Sequence, residues 1–365
     1  MTVQRWLSEP LARDVASALE RLAAAPGVQH VAVMPDVHLA EHVCVGTVLG
    51  TTEWIYPQAV GGDIGCGMAA APIRGEAAAL DAAAAARLFD CLREAVPPVR
   101  RPQPTDAGLP ALADRELSRR LQRDLAVEFG TLGRGNHFLE LQCDEHGGLW
   151  LAVHSGSRAL GPALRDHHLA RGEAVGKGLV ALAVAGPGRE YLADCALAEA
   201  FAQQNRRAIG TAAAAVLAAE LGWQVDFAGW FESSHNHVRA ECHDGRALWV
   251  HRKGASPAGA GQLAIVPGSM GSATFHVEGR GVAAALASCA HGAGRALARG
   301  AAARAITVRD LERSMAGVYF ERQLAPRLRD EAPAAYKDIG AVMRAQRELV
   351  RIVRRLRPLL AYKAV

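Results

Sequence analysis

Seven cysteines stand singly at positions 44, 66, 91, 143, 195, 242 and 289, and no Cys-x-x-Cys pair occurs. The odd count and wide scatter argue against a disulfide framework and against a zinc ribbon, so a functional cysteine must be recognised by its neighbours. The first residues carry no apolar core of signal-peptide length, and no apolar run reaches membrane-spanning length, so a cytoplasmic protein that does not enter a membrane is expected. The Walker pattern G-x-x-x-x-G-K-[ST] is missing, so any nucleotide must bind by another route. No repeat period is visible, and alanine bias is the only low complexity.

Half of the 365 residues are hydrophobic and 21% are charged, which suits a large buried core and excludes disorder. That length fits two domains or one large one. The net charge of +4 permits a nucleic-acid partner without requiring one. Arginines crowd the stretch Arg344 to Arg357, where a helical reading makes them a solvated face.

Periodicity predicts an amphipathic helix over 11–25, from Leu11, Val15, Leu19 and Leu22. Strands are expected over 30–34, 45–51, 68–73, 138–142, 149–153, 247–251, 262–266 and 273–278. Helices are expected over 77–95, 111–128, 160–175, 191–221, 289–300, 307–315 and 338–355. The proline-bearing stretch 96–110 reads as an irregular connection. This mixture gives an α+β or α/β class, between which periodicity does not choose.

The chemistry is concentrated in segments that break the Ala/Leu/Arg background. They are Met34-Pro-Asp-Val-His38, Gly61-Gly-Asp-Ile-Gly-Cys-Gly67, Gly133-Arg-Gly-Asn-His-Phe-Leu-Glu140, Val153-His-Ser-Gly-Ser-Arg158 and Pro267-Gly-Ser-Met-Gly-Ser-Ala-Thr274. Shorter ones are Ser234-His-Asn236 and Ala290-His-Gly-Ala-Gly-Arg295. Each is expected at the end of a strand or the start of a helix, where glycine brings backbone close to a ligand. A carboxylate and a thiolate three residues apart, Asp63 and Cys66, can reach one metal or bridge two. His137, His154 and His235 would complete a ligand set for two ions. Taken alone, each of these residues is more often a core or surface side chain than a ligand, and only the combination points to a metal. Thiolate and imidazole ligands favour zinc, whereas a carboxylate and substrate phosphate oxygens favour harder ions, so the metal stays open at this point. The Pro267 to Thr274 segment could cradle phosphates or be a plain turn. His291, beside Arg295, could accept a phosphoryl group or simply begin a helix.

Taken in order, these segments closely resemble the RtcB family of RNA ligases. The likeness includes Arg252-Lys-Gly-Ala255, Ala335-Tyr-Lys-Asp338 and the closing Leu356-Arg-Pro-Leu with Lys363, and it covers nearly the whole chain. The resemblance implies an RtcB-like α+β fold of mixed sheets surrounded by helices, with residues 1–365 forming one large catalytic domain. It implies two manganese ions, Cys66 bridging, with Asp63, His137, His154 and His235 as the other ligands. It implies that His291 attacks the α-phosphate of GTP, and that the resulting histidine-bound GMP passes to an RNA 3′-phosphate. A 2′,3′-cyclic phosphate would first be opened. A 5′-hydroxyl then attacks and GMP leaves. Asn136, Glu140, Ser269, Thr274, Tyr336 and Lys363 would hold the nucleotide, while Arg158 and Arg295 would grip the RNA phosphate. RNA repair or tRNA splicing is the expected setting, with a helper protein as an open question.

One departure stands out: where the family commonly has Gly-Lys-Gly, this chain has Ala40-Glu41-His42. A cation is exchanged for an anion in a loop that could touch nucleic acid. Two other classes of function stay in view, namely a metal-dependent RNA-end phosphoesterase and a non-catalytic RNA-end-binding partner in repair or ribosome rescue.

Overall fold

The computed structural model describes residues 1–105, 111–176 and 178–364, and it is an α+β arrangement built on two large sheets. The five-stranded sheet runs in the order Thr2–Arg5, Val28–His38, Val45–Thr51, Arg246–Lys253 and Asn236–His243. The eight-stranded sheet follows the path Gln224–Val225, Gly67–Arg74, Leu149–Ser155, Phe138–Asp144, Val350–Tyr362, Thr274–Gly279 and Leu263–Pro267. Its eighth strand, Phe231–Ser234, also pairs with Gly67–Arg74.

Alternating side chains give each sheet two different faces. Ala32, Met34, Val48 and Val250 of the smaller sheet meet Ala264, Val266, Phe275 and Val277 of the larger one in a shared core. The outer face of the smaller sheet packs Val31, Val33 and Leu49 against Val15, Leu19 and Leu22 of the helix Arg13–Ala23. The outer face of the larger sheet sends Leu139, Leu141, Leu151 and Val153 into Leu88, Phe89 and Leu92 of Ala82–Ala95 and Ile209, Ala213 and Leu217 of Pro187–Leu221. Fully burying a Val, Leu, Ile, Phe or Met side chain is worth roughly 1.5–3 kcal/mol, so these layers outweigh any local preference.

Most of the expected elements are present, with instructive differences. The Ala-rich helix begins at Ala82 rather than 77, because Asp81 caps it by accepting from the Ala84 amide. The helix expected over 160–175 stops at Leu169, and Glu173–Gly176 is a strand paired with Leu179–Ala183. The helix expected over 289–300 is instead a strand, Ser288–Ala290, followed by a glycine-rich loop and then the helix Arg299–Ala305. Of the connection expected over 96–110, residues 106–110 lie outside the described residues.

The largest correction concerns the arginine-rich end. Helix Ile339–Ala345 is short, and Val350–Tyr362 is a 13-residue strand. It fills the place between Phe138–Asp144 and Thr274–Gly279, so two ladders of backbone hydrogen bonds override the helical spacing. Its arginines lie on a strand and not on a helix, although Arg351, Arg355 and Arg357 are exposed as a solvated face requires. Arg351 pairs with Glu278 at 2.7 Å, and Arg354 stacks on the Trp150 ring at 4.3 Å.

Candidate metal and nucleotide site

Three adjacent strands of the larger sheet assemble the candidate metal ligands at one edge. Cys66 immediately precedes Gly67–Arg74, His137 immediately precedes Phe138–Asp144, and His154 lies near the end of Leu149–Ser155. The register pairs His154 with both Met68 and Phe138, which brings the three together. Cys66 Sγ then lies 3.4 Å from His137 Nε2 and 3.3 Å from His154 Nε2. Asp63 Oδ2 adds a carboxylate 2.9 Å from His137 Nε2. His235 sits where the chain leaves the larger sheet for the smaller one, tied by its amide to the Cys66 carbonyl at 2.8 Å. Its ring stands 5.1 Å from that of His154 and 4.8 Å from that of His291.

The side chains present fit a metal. Cys66, His137 and His154 offer buried ligand atoms all within 4.8 Å of one another. Burial and the neighbouring histidines push His154 well below its ordinary pKa, and burial and His291 do the same to His235, leaving neutral imidazoles ready to donate a lone pair. Burial beside the Asp63 carboxylate pushes the Cys66 thiol well above its ordinary range. A thiolate there needs a cation as its counter-charge. For Asp63, burial acts upward, but the hydrogen bond and charge of His137 outweigh it, and the carboxyl is held below its usual value.

Close backbone approach explains a glycine here. A Cβ on Gly156 would come within 2.4 Å of the Asp63 carboxyl carbon, so only glycine lets the Ser157 amide reach Asp63 Oδ1 at 3.1 Å.

Beyond the Cys/His/Asp cluster opens a cavity of about 350 Å³, within the size range of small-molecule sites. Asp63, Cys66, His154 and His235 line one side, and His291 lines it beside Gly292 to Arg295. His291 Nδ1 lies 2.7 Å from Asp36 Oδ2, which also accepts the His291 amide at 3.2 Å. Asp36 can do this because the ladder between Val28–His38 and Val45–Thr51 shifts register between Val33 and His38, where Pro35 lacks a donor. With Nδ1–H donated to a buried carboxylate, Nε2 keeps its lone pair. Gly254, at φ +61°, allows this packing, since a Cβ there would lie 2.2 Å from Val45 Cγ1 and 3.1 Å from His291 Cε1.

Asn136, Glu140, Ser269, Tyr336, Lys363 and Arg295 also line the cavity, whereas Thr274, Arg158 and His137 do not. Thr274 is buried and accepts from Gln142 at 3.1 Å. Arg158 is bonded to the Thr131 hydroxyl at 3.2 Å. The Arg295 guanidinium is committed to the carbonyls of Leu297 and Asp330 and to the Tyr336 hydroxyl, and it faces that ring at 5.0 Å. Lys363 reaches the Asn136 carbonyl at 3.3 Å and Glu331 at 2.8 Å. Burial pushes Glu140 up to about 7, against the opposing effects of Gln142 and Lys363.

A model of the family described as tRNA-splicing ligase RtcB matches residues 18–109 and 103–364. The chain belongs to the RtcB family of RNA ligases. It is 35% identical to the RNA-splicing ligase RtcB of Escherichia coli K12 over 99% of this chain and 97% of that protein. It is equally similar, over the same shares, to the RNA-splicing ligase RtcB1 of a second Escherichia coli strain. A tRNA-splicing ligase RtcB of Archaeoglobus fulgidus is 28% identical over 98% of this chain and 92% of that protein.

Several residues at this RtcB site were not singled out by sequence reasoning. Asp36 and Lys253 lay inside quoted motifs without a role. Glu331 and Arg299, which also line the cavity, lay outside them. Asn205 and Arg206 brace the site from the long helix. Arg206 donates to the carbonyls of Gly65 and Ser155 at 2.9 and 3.0 Å, and Asn205 donates to Ser155 Oγ at 3.0 Å. The available signal was a polar step, Gln203-Gln204-Asn205-Arg206-Arg207, within an otherwise Ala-rich helix.

Proposed function

We propose that this chain is a GTP- and manganese-dependent RNA ligase that joins RNA 3′-phosphate or 2′,3′-cyclic phosphate ends to 5′-hydroxyl ends. The observation that carries the reading is the placement of His291, oriented by Asp36, in the same cavity as the Cys/His/Asp cluster. In this reading Asp63, Cys66, His137, His154 and His235 would hold two manganese ions. The ions supply Lewis-acid neutralisation of phosphoryl charge.

Asp36 keeps the proton on His291 Nδ1, and Nε2 attacks the α-phosphorus of GTP. An N–P bond forms, the α–β P–O bond breaks, and pyrophosphate leaves. The GMP then moves to an RNA 3′-phosphate oxygen, the 5′-hydroxyl of a second end attacks that activated phosphorus, and GMP departs. Asn136, Glu140, Ser269, Tyr336 and Lys363 line the cavity where they would hold the nucleotide. Thr274, bonded to Gln142, would act from behind that wall. Arg158 and Arg295 remain the proposed phosphate contacts, and Arg295 must give up internal partners to serve.

Residues 1–365 are proposed as one catalytic domain, because both large sheets contribute to the cavity. Among the described residues no helix is long and apolar enough to cross a membrane. RNA repair or tRNA splicing in the cytoplasm, with or without a helper protein, is the proposed setting. Incubating the purified chain with manganese and α-labelled GTP should give label that survives denaturation and is lost in His291→Ala. Supplying RNA ends should then yield joined product. Phosphate release from RNA ends without covalent label would indicate a phosphoesterase instead.

A further inference from the structure

Two buried carboxylates line the cavity, and they are partnered in opposite ways. Glu140 is bonded by the Gln142 amide at one oxygen, Oε2, at 2.8 Å. Glu331, only 2% exposed, is surrounded by donors on both oxygens. Its Oε2 accepts from the Tyr336 hydroxyl at 2.7 Å and from Lys363 Nζ at 2.8 Å. Its Oε1 accepts from Arg299 at 2.5 Å and lies 3.4 Å from Arg295.

A carboxylate offers about four lone-pair directions, so Glu331 has none left for a ligand, while Glu140 does. The two oxygens also divide the work. The resemblance to RtcB ligases implies that Tyr336 and Lys363 hold the guanosine end of the nucleotide; Oε2 holds that pair, and Oε1 holds Arg299 and Arg295. Burial acts to raise the Glu331 pKa, but Lys363 and Arg299 outweigh it and hold it at about 2, so the carboxylate stays charged throughout the physiological range. Three cations and a phenol packed together would repel one another or compete for position without that central anion.

We infer that Glu331 is a positioning residue that fixes Lys363 and Tyr336 for recognition of the purine end of the nucleotide, and so governs base selectivity without touching the ligand. This inference rests on the nucleotide reading of the cavity proposed above. It makes a distinction that simple electrostatics does not. Removing one negative charge from the cavity wall would alter the binding of GTP and ATP alike, since both carry the same triphosphate. Releasing Lys363 and Tyr336 would change the ratio between them.

The test measures covalent attachment of GMP and of AMP as a function of nucleotide concentration, with manganese bound, in the wild-type chain, Glu331→Gln and Glu331→Asp. Metal content and melting temperature are recorded for each. The expected result is a loss of GTP-over-ATP selectivity of about tenfold or more in Glu331→Gln, the scale of one charged hydrogen bond, with partial recovery in Glu331→Asp. In the Lys363→Met background the further change Glu331→Gln should have little added effect, because the two act through one contact. An unchanged selectivity ratio in folded, metal-loaded Glu331→Gln overturns the inference, and so does full additivity with Lys363→Met. Should Glu331→Gln fail to fold, Glu331→Asp carries the test, and unaltered selectivity there, with its shorter reach, overturns it equally. Failure of the wild-type chain to take up label would instead overturn the nucleotide reading itself.

Discussion

The imidazole Nδ1 of His291 and the carboxylate Oδ2 of Asp36 lie 2.7 Å apart, although 255 positions separate them in the chain. The Asp36 side chain is fully buried, and His291, with 13% of its side chain exposed, lines the cavity. The pair therefore has one direction in which to act, with the histidine's remaining nitrogen presented to whatever occupies the cavity.

Asp36→Asn should slow histidine guanylation on the order of 10–100-fold, by allowing the wrong tautomer and a looser ring, while metal content stays unchanged. Rates of GMP attachment under single-turnover conditions, set beside metal analysis, provide the check. A wild-type rate in the variant would reduce Asp36 to a packing role.

Metal binding should strengthen as pH rises. The Cys66 thiol is pushed well above its ordinary range and is protonated in the metal-free protein at neutral pH. Loading must expel that proton, so affinity should gain up to about tenfold per pH unit for each proton released below the thiol pKa. Titration calorimetry in buffers of different ionisation enthalpy measures both affinity and proton release. Cys66→Ala should sharply weaken loading and abolish this pH dependence, whereas unchanged occupancy would make Cys66 a core thiol.

Arg206 is fully buried on the long helix and spans the carbonyls of Gly65 and Ser155 and the Glu232 carboxylate, which lies 2.7 Å away. Arg206→Met takes a charged donor from each of these acceptors, leaving the Gly65 carbonyl only the Ser234 hydroxyl at 3.4 Å, and should destabilise the fold by about 3–5 kcal/mol. Chemical denaturation would register this as a lower midpoint. A loss below about 1 kcal/mol would show that the loops hold themselves.

Burial pulls the Lys253 amine down to about 8, opposed by Cys44 and then by the nearby Glu41 carboxylate, and Lys253 lines the cavity beside Gly61 and Gly62, which puts the altered loop at the approach to the site. Glu41→Lys should tighten binding of a short RNA with a 3′-phosphate at low salt, with the gain fading as ions screen it, and should leave guanylation unchanged. Equal affinities at both salt concentrations would remove Glu41 from the RNA path.

Much of this site was legible in the sequence because glycine, histidine, aspartate and cysteine stand out against an Ala-rich background. Asp63, Cys66, His137, His154, His235 and His291 all converge on one region. What stayed hidden depends on long-range pairing. Glu331 lies in an unremarkable Arg-Asp-Glu step, and its importance comes from four donors that reach it from the Arg295–Arg299 stretch, from Tyr336 and from the distant Lys363. Asp36 gained its role only once a register shift turned it toward a loop near the other end of the chain. The strand Val350–Tyr362 was misread for the same reason. Its residues carry a weak local preference, and the partners that decide its conformation are remote.

That strand also sets the order in which the molecule can be made. It separates Phe138–Asp144 from Thr274–Gly279, so as the chain leaves the ribosome both of these earlier strands wait with an open edge. The last strand seals them and, in the same motion, delivers Lys363 to Asn136 and Glu331. A message cut short before codon 350 would therefore yield a chain with two raw sheet edges and an incomplete cavity. Such a chain would be poorly suited to binding RNA ends and well suited to capture by chaperones or to aggregation.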